Sequence, residues 1–190
     1  SRNKLRYIVE SQKGCKDTLD TALVVYPYPI AKLSIPDPYF CQNAKATLFD
    51  SSSSPLGVKT TFWSFGDGNK DTLINERKAE HFYGLYDTFY IRMITETPYA
   101  CRDTIDSLYV VHPITKTEIG SKIVQQCLKQ NEFEFYDNST IEYGKFDDKW
   151  LIDGKTYDNQ GTVKPIKFKD TGFQKIVLMT VTDMGCKDTV

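Results

Sequence analysis

One five-residue motif occurs three times in the chain at nearly constant spacing. The copies are Gly14-Cys15-Lys16-Asp17-Thr18, Ala100-Cys101-Arg102-Asp103-Thr104 and Gly185-Cys186-Lys187-Asp188-Thr189. The step from the first motif cysteine to the second equals the step from the second to the third to within one position, and another pair, Cys41 and Cys127, repeats the same step. Self-similarity at a fixed period is the signature of a repeat array, so the chain is predicted to contain copies of one small domain.

The repeat extends well beyond the cysteines, because residues 5–27 align without gaps on residues 91–113. This register predicts three segments: the C-terminal part of one repeat at 1–27, a complete repeat at 28–113, and a repeat without its last strand at 114–190. Both ends cut through a domain, so we expect the chain to be part of a longer protein. We call the three segments the first, middle and third repeats.

The charge balance excludes a strongly basic nucleic-acid or membrane-surface binder. The chain has 24 Lys and Arg against 25 Asp and Glu, a formal net charge of −1, and its basic residues are scattered without a run. Its longest apolar stretch is far shorter than a bilayer-spanning helix. We therefore expect neither nucleic acid as a partner nor a membrane span within these residues.

Alternating apolar and polar residues, rich in β-branched and aromatic types, predict an all-β chain. Residues 116–130 are predicted to be extended rather than helical, because the aligned segment 29–45 contains Pro36 and Pro38. Short strands with frequent turn residues, and one tryptophan and one cysteine pair per repeat, indicate an immunoglobulin-like sandwich of two antiparallel sheets. The predicted strands are residues 5–11, 19–26, 46–50, 60–65, 89–95, 105–112, 132–136, 149–152 and 175–182.

Each repeat has one early and one late cysteine. The step from Cys41 to Cys101 matches the step from Cys127 to Cys186 to within one position. We expect disulfides Cys41–Cys101 and Cys127–Cys186, each packed under a tryptophan, and a partner for Cys15 upstream of this sequence. Such disulfides indicate an oxidising, extracytoplasmic compartment. The alternatives are reduced buried thiols and a zinc site, and the lack of a Cys-x-x-Cys pattern disfavours zinc.

A second set of motifs lies in the middle repeat. It reads Trp63-Ser64-Phe65-Gly66-Asp67-Gly68, then His81-Phe82-Tyr83, then a strand that ends at Cys101. These elements resemble a PKD domain. The third repeat departs from the pattern, with Asp153-Gly154 in the loop and Ile166-Lys167-Phe168 in place of the His-x-Tyr element. The resemblance implies tandem immunoglobulin-like (PKD-like) antiparallel β-sandwich repeats with a period of about 86 residues.

The added Gly-Cys-Lys-Asp-Thr ending is similar to tandem PKD-like repeats of Bacteroidota cell-surface proteins, including gliding-motility adhesins exported by the type IX secretion system. The resemblance implies a non-enzymatic structural or adhesive segment of a long extracellular stalk or filament attached to the outer membrane. Its partners would be neighbouring repeats of the same chain and surface polysaccharide or other surface proteins. The alternative is an accessory substrate- or carbohydrate-binding module array of a secreted hydrolase, and the flanking domains would distinguish the two.

The sequence shows no arrangement typical of catalysis or of a cofactor site. It has no Ser-His-Asp, paired-glutamate or His-Glu-x-x-His constellation, and His81 has no counterpart in the third repeat. Some PKD domains bind calcium, for which Asp50, Asp67 and Asp71 are the candidate ligands. The acidic residues are not densely spaced, so we expect neither a metal nor another cofactor.

The resemblance also implies O-glycans on Asp-(Ser/Thr)-apolar triplets. Because side chains alternate between the two faces of a strand, Thr18 and Thr21 are not expected to be exposed together, nor are Thr104 and Ser107. Thr72 is expected in a loop after the Gly-Asp-Gly turn and is the first choice. The candidates are Thr72, Thr104, Thr18, Thr189, Thr21 and Ser107.

The junctions between repeats are short and contain proline, at Pro27-Tyr28-Pro29 and at Pro113. Proline restricts the backbone, so these linkers are predicted to be semi-rigid. Four tyrosines fall in junctions or loops rather than in strands, and they are the candidates for surface contacts. They are Tyr28, Tyr39, Tyr99 and Tyr157.

Overall fold

In the computed structural model, which describes residues 2–36 and 40–190, the chain is all-β. The described residues form strands, turns and irregular segments and contain no helix. The strands of the first and middle repeats are β1 (Arg2–Glu10), β2 (Lys16–Val24), β3 (Leu33–Ser34), β4 (Phe40–Cys41), β5 (Lys45–Asp50), β6 (Thr60–Ser64), β7 (Lys70–Ile74), β8 (Lys78–Phe82), β9 (Asp87–Glu96) and β10 (Arg102–His112). Those of the third repeat are β11 (Ile119–Ser121), β12 (Phe133–Asp137), β13 (Phe146–Ile152), β14 (Lys155–Asp158), β15 (Thr162–Ile166), β16 (Ile176–Thr182) and β17 (Lys187–Thr189).

The chain divides into two compact units. The first comprises Ser1–Ser34, Phe49–Ala79 and Ile91–Ser107, and the second comprises Ile35–Leu48, Glu80–Tyr90 and Leu108–Val190. This division cuts through the middle repeat instead of following residues 28–113, so the repeat boundaries stay a prediction from the sequence.

The third repeat folds as a sandwich of two antiparallel sheets. One sheet has the order β11-β12-β15, and the other has the order β14-β13-β16-β17. Buried residues alternate with exposed ones along the end of β13 and with half-buried ones along β16, as the two-residue period of a strand requires. The buried Trp150, Ile152 and Leu178 of these strands belong to a shared core. That core consists of Phe135, Trp150, Ile152, Val163, Ile166, Phe168 and Leu178.

The middle repeat has the same strand order with one addition. The sheet β3-β5-β8 corresponds to β11-β12-β15, and β10-β9-β6-β7 corresponds to β17-β16-β13-β14. The addition is β4, in which Cys41 pairs in parallel with His112 at the end of β10. Its counterpart segment in the third repeat contains no strand at Cys127. The predicted all-β, immunoglobulin-like fold is therefore confirmed, with one short parallel pair among the described strands.

The described part of the first repeat forms a hairpin. β1 and β2 pair antiparallel from Arg2 opposite Val24 to Glu10 opposite Lys16, and they form a two-stranded sheet of their own. Every side chain of β2 is exposed. In the sequence alignment the hairpin corresponds to β9–β10 and to β16–β17.

All nine predicted strands are present, with ends displaced by up to three residues. The eight that the sequence did not reveal are short, between two and five residues: β3, β4, β7, β8, β11, β14, β15 and β17. Residues 116–130 are extended or irregular, as predicted, and contain only β11.

Candidate functional site: the junctions between repeats

The cysteine motif forms one recurring hairpin. In the middle repeat, the Thr97 N–H donates to the Cys101 carbonyl over 3.0 Å, and the Cys101 N–H donates to Thr97 Oγ1 over 3.2 Å. Ala100 closes the turn with a left-handed φ of 60°, a conformation that glycine adopts more readily. Equivalent bonds recur at Ser11, Gly14 and Cys15 and at Thr182, Gly185 and Cys186.

The motif aspartate joins each hairpin to the start of its own repeat. The Ala31 N–H donates to the Asp103 carboxylate over 2.8 Å, and the Thr117 N–H donates to the Asp188 carboxylate over 3.1 Å. Both bonds are partly buried, where a charge-assisted hydrogen bond is worth more than in water. The aligned residues 31 and 117 immediately follow the predicted linkers, so the motif fixes the chain where one repeat leads into the next.

The linker into the third repeat is packed rather than free. Pro113 and Thr115 are buried. The hydroxyls of Thr115 and Thr117 both hydrogen-bond the Thr180 hydroxyl in β16, with 2.8 Å between the Thr117 and Thr180 oxygens. These contacts hold the backbone of the linker against the sheet, and they favour the semi-rigid junction that the proline suggested.

Among the described residues there is one disulfide, between Cys41 and Cys186, across a sequence separation of 145 and with the two Cα atoms 5.5 Å apart. Cys41 lies in β4 of the middle repeat, beside His112. Cys186 lies fully buried in the β16–β17 hairpin of the third repeat. The early cysteine of one repeat is thus bonded to the late cysteine of the next.

This arrangement overturns the expected pairings Cys41–Cys101 and Cys127–Cys186, since Cys15, Cys101 and Cys127 are free thiols. The reason is the length of β10. Cys101 precedes its first residue, whereas Cys41 pairs with its last residue, His112. At about 3.3 Å per residue the strand spans on the order of 30 Å, far more than the roughly 4.4–6.8 Å between Cα atoms that a disulfide allows.

The tryptophans were expected to pack over disulfides within each repeat, and this prediction is wrong because those disulfides do not form. Instead, each indole makes a hydrogen bond two residues back along its own strand. Trp63 Nε1 donates to Thr61 Oγ1 over 3.0 Å, and Trp150 Nε1 donates to Asp148 Oδ2 over 2.9 Å. Both tryptophans are almost fully buried and serve the sandwich core.

The calcium candidates have separate local roles. The buried Asp50 accepts from the Ser52 N–H over 2.8 Å, with Arg77 Nη1 at 3.7 Å from its other oxygen. Asp67 accepts from the backbone and side-chain nitrogens of Asn69. The exposed Asp71 accepts from the next backbone N–H. Within residues 2–36 and 40–190, no three His, Cys, Asp or Glu side chains are grouped so that they could hold a metal ion.

The glycosylation candidates are placed differently from expectation at three positions. Thr72 lies in the edge strand β7 rather than in a loop, although it is exposed. Thr18 and Thr21 are both exposed, because β1 and β2 have no second sheet to cover either face. Thr104 is exposed and Ser107 is half-buried, as alternation predicts. Thr189 is exposed in β17.

Three of the four candidate tyrosines lie in described residues, and Tyr39 lies outside them. Tyr28 is 76% exposed. Tyr99 stacks on Tyr26, with ring centroids 3.8 Å apart and planes 10° apart. Tyr157 is half-buried and packs against the core of the third repeat. Tyr28 therefore offers the largest free aromatic surface among them.

A cavity of about 730 Å³ opens in the third repeat. Its lining includes residues 123–126, Leu128, residues 170–174 and Ile176 of β16. In the middle repeat, β10 lies between the corresponding elements β4 and β9. The cavity therefore takes the place that the second half of β10 occupies there.

No protein-family model matches the chain, and no curated protein matches it. No helix in the described residues is long and apolar enough to cross a membrane. Among solved structures, the fibronectin(III)-like modules of CbhA from Clostridium thermocellum are similar at 13% identity and a TM-score of 0.41, over 83% of this chain and 91% of that one. Carbohydrate-binding modules of the β-sandwich superfamily match at 10% identity and a TM-score of 0.45, over 87% and 90%. The Bacteroides ovatus mixed-linkage glucan protein SGBP-B matches at 14% identity and a TM-score of 0.36, over 86% and 47%.

Proposed function

We propose that this chain is a non-enzymatic structural and adhesive repeat segment of a long extracellular stalk, belonging to a Bacteroidota cell-surface adhesin of the SprB gliding-motility type. The observation that supports this most is the recurring junction. The same hairpin and the same aspartate bond occur in both the middle and the third repeat, at Asp103 and at Asp188. Two successive repeats that fix their start to their end by the same bond are what a regular array requires.

The physical role follows from stiffness. The Cys41–Cys186 disulfide and the packed linker at Pro113 and Thr115 resist bending between successive repeats. A stalk of such units would project a distant binding tip, or present many weak sites at high effective concentration. The disulfide also favours an oxidising, extracytoplasmic location. Attachment to the outer membrane belongs to the same proposal and rests on the resemblance of the repeat.

The partners we propose are the neighbouring repeats of the same chain, and surface polysaccharide or other surface proteins. We assign Tyr28, in the first linker, to contact with a surface ligand because its ring is exposed. Export by the type IX secretion system and modification with O-glycans belong to the same proposal and rest on the resemblance of the repeat.

The test is to locate the protein on intact cells. Antibody raised against residues 28–113 should label long surface structures by electron microscopy, and deletion of the gene should abolish gliding or attachment. The full-length sequence should show many more repeats. If the antibody instead detects the protein in the culture fluid, and its full-length chain also carries a protease or glycosidase domain, the accessory-module alternative would be correct.

A further inference from the structure

Cys101 occupies the same place in the middle repeat as Cys186 in the third. Both cysteines close the same hairpin, and both hairpins are held by the same aspartate bond to the start of the repeat. The two cysteines differ in their bonding: Cys186 is in a disulfide and Cys101 is a free thiol.

The surroundings of Cys101 indicate what kind of partner fits it. The partner of Cys186 is Cys41, which pairs through its backbone with His112. His112 aligns on Tyr26, and Cys101 Sγ lies 4.0 Å from the Tyr26 carbonyl oxygen. The thiol of Cys101 thus lies beside the residue that aligns on His112, where an early cysteine of the preceding repeat would pair as Cys41 does at His112.

Cys127 is the other half of the same arrangement. It aligns on Cys41, one period earlier, and its side chain is exposed. Cys41 is bonded one repeat ahead. By the same rule, the partner of Cys127 is a late cysteine one period after Cys186.

We propose that Cys101 and Cys127 each form an inter-repeat disulfide, Cys101 with the early cysteine of the preceding repeat and Cys127 with the late cysteine of the following one. This rests on the repeat array proposed above. Each bond joins two thiols, releases two protons and passes two electrons to an external disulfide, such as an oxidised thiol–disulfide oxidoreductase of the cell envelope. Every repeat would then be bonded to both of its neighbours, as a ladder along the stalk.

The ladder has a mechanical consequence that other pairings do not. Its shortest covalent path crosses a disulfide into the next repeat and then follows a segment like that from Cys101 to Cys127 to reach the next bond. In the ladder, one such segment therefore spans the distance along the stalk of two repeats. If the disulfides lay inside each repeat, one such segment would span only one repeat. Without disulfides, all residues of each repeat would extend when the repeats unfold. The ladder is thus the least extensible of the three arrangements when its repeats unfold.

The direct test is non-reducing peptide mapping of the full-length protein, alkylated as it is purified from its host. The Cys127 peptide should be linked to a late-cysteine peptide of the following repeat, and the Cys101 peptide to an early-cysteine peptide of the preceding one. In a full-length Cys127→Ser variant, one new thiol should appear, at that late cysteine, while Cys41–Cys186 stays intact. A Cys41–Cys101 link, or alkylated Cys101 and Cys127 in the unaltered protein, would overturn the ladder.

Single-molecule stretching gives an independent readout on the same protein. At roughly 3.5 Å per extended residue, the fully stretched chain should measure about 45 Å per repeat in the ladder, about 90 Å with pairing inside each repeat and about 300 Å without disulfides. The two longer values would reject the ladder. The full-length sequence tests the array separately. A chain without further repeats would overturn the proposed function, whereas an array with pairing inside each repeat would overturn the ladder alone.

Discussion

The Asp103 carboxylate accepts a hydrogen bond from the backbone N–H of Ala31 over 2.8 Å, across a sequence separation of 72. One period later, Asp188 does the same for Thr117. In the first hairpin, the motif aspartate Asp17 is exposed and accepts only the N–H of Thr18 among the described residues. The motif aspartate therefore makes a tertiary bond in the middle and third repeats and a purely local bond in the first hairpin.

This difference between the three aspartates can be measured. We expect Asp103→Ala to lower the free energy of unfolding by about 1–3 kcal/mol, because it leaves a partly buried backbone N–H without its charged acceptor. The matched control is Asp17→Ala, which should change stability by less than about 0.5 kcal/mol. Urea unfolding followed by circular dichroism gives both values. Equal losses in the two variants would show that the bond to Ala31 is not the cause.

The Cys41–Cys186 disulfide gives a second prediction. When these 190 residues are produced without the neighbouring repeats, three of the five cysteines should react with a thiol reagent before reduction, and the half-buried Cys101 should react more slowly than the two exposed ones. Cys186→Ser should destabilise the protein by up to about 5 kcal/mol in the chain-entropy model, since the bond closes a loop across a sequence separation of 145.

Cys127→Ser is the matched control for that variant, because it removes a free, exposed thiol. It should leave the urea midpoint unchanged and reduce the count of reactive thiols by one. Four reactive thiols after Cys186→Ser would confirm that Cys41 has been released. A count that stays at three would mean that Cys41 has another partner.

The fold could be predicted from the sequence because apolar and polar residues alternate along a strand with one buried face. Long strands carry enough alternation to be found, as β9 and β10 do, whereas the two residues of β3 or β4 do not. The repeat alignment also helped, because a hairpin identified in one repeat identifies its counterparts in the other two.

The cysteine pairing could not be predicted from the sequence. The matched spacing of Cys41 to Cys101 and of Cys127 to Cys186 states that the repeats are alike, and says nothing about which end of a strand each thiol occupies. That depends on the parallel pairing of Cys41 with His112, a contact too short to leave a pattern. A partner in the neighbouring repeat fits the same spacing equally well.

A surface ion pair predicts a pH dependence. Arg92 and Asp106 form a two-pronged bond of 2.7 and 2.8 Å across β9 and β10, and hydrogen bonding from the guanidinium lowers the pKa of Asp106 below its ordinary 3.8. A carboxylate with a lowered pKa stabilises the fold above its unfolded pKa, and this contribution is lost as the pH falls through the folded value.

Asp106→Asn should therefore lower Tm slightly at pH 7 in low salt, and the difference from the unaltered protein should shrink as the pH falls below 3.8. High salt should also reduce it, since both side chains are exposed. Asp147→Asn, at an exposed carboxylate of β13, is the control for a change of net charge. A difference that does not shrink as the pH falls below 3.8 would contradict the ion pair as its source.

The core of the third repeat should depend on Trp150, which is completely buried between its two sheets. Trp150→Ala should cost about 3–5 kcal/mol, because it leaves a large cavity and removes the donor to Asp148. Leu151→Ala, at the next residue on the exposed face, should cost less than about 1 kcal/mol. Urea unfolding monitored by circular dichroism compares the two. Similar costs would mean that the two faces of β13 are not distinguished by burial.

The final prediction concerns covalent sugar. Asp17, Asp71 and Asp103 each accept the N–H of the following threonine, over 2.8, 2.7 and 2.9 Å, so these Asp-Thr pairs share one local geometry. A glycosyltransferase that reads such a pair also needs an accessible hydroxyl. Thr72, exposed on the edge strand β7, meets that need, and the half-buried Ser107 does not.

We therefore expect glycan on Thr72 first and on Thr104 second in protein from the native host. Thr72→Ala should reduce the intact mass by one glycan in addition to the change in the polypeptide, whereas the matched control Ser107→Ala should change only the polypeptide mass. A native protein whose mass equals that of the bare chain would reject glycosylation altogether. Loss of a glycan from Ser107→Ala alone would show that strand exposure does not select the site.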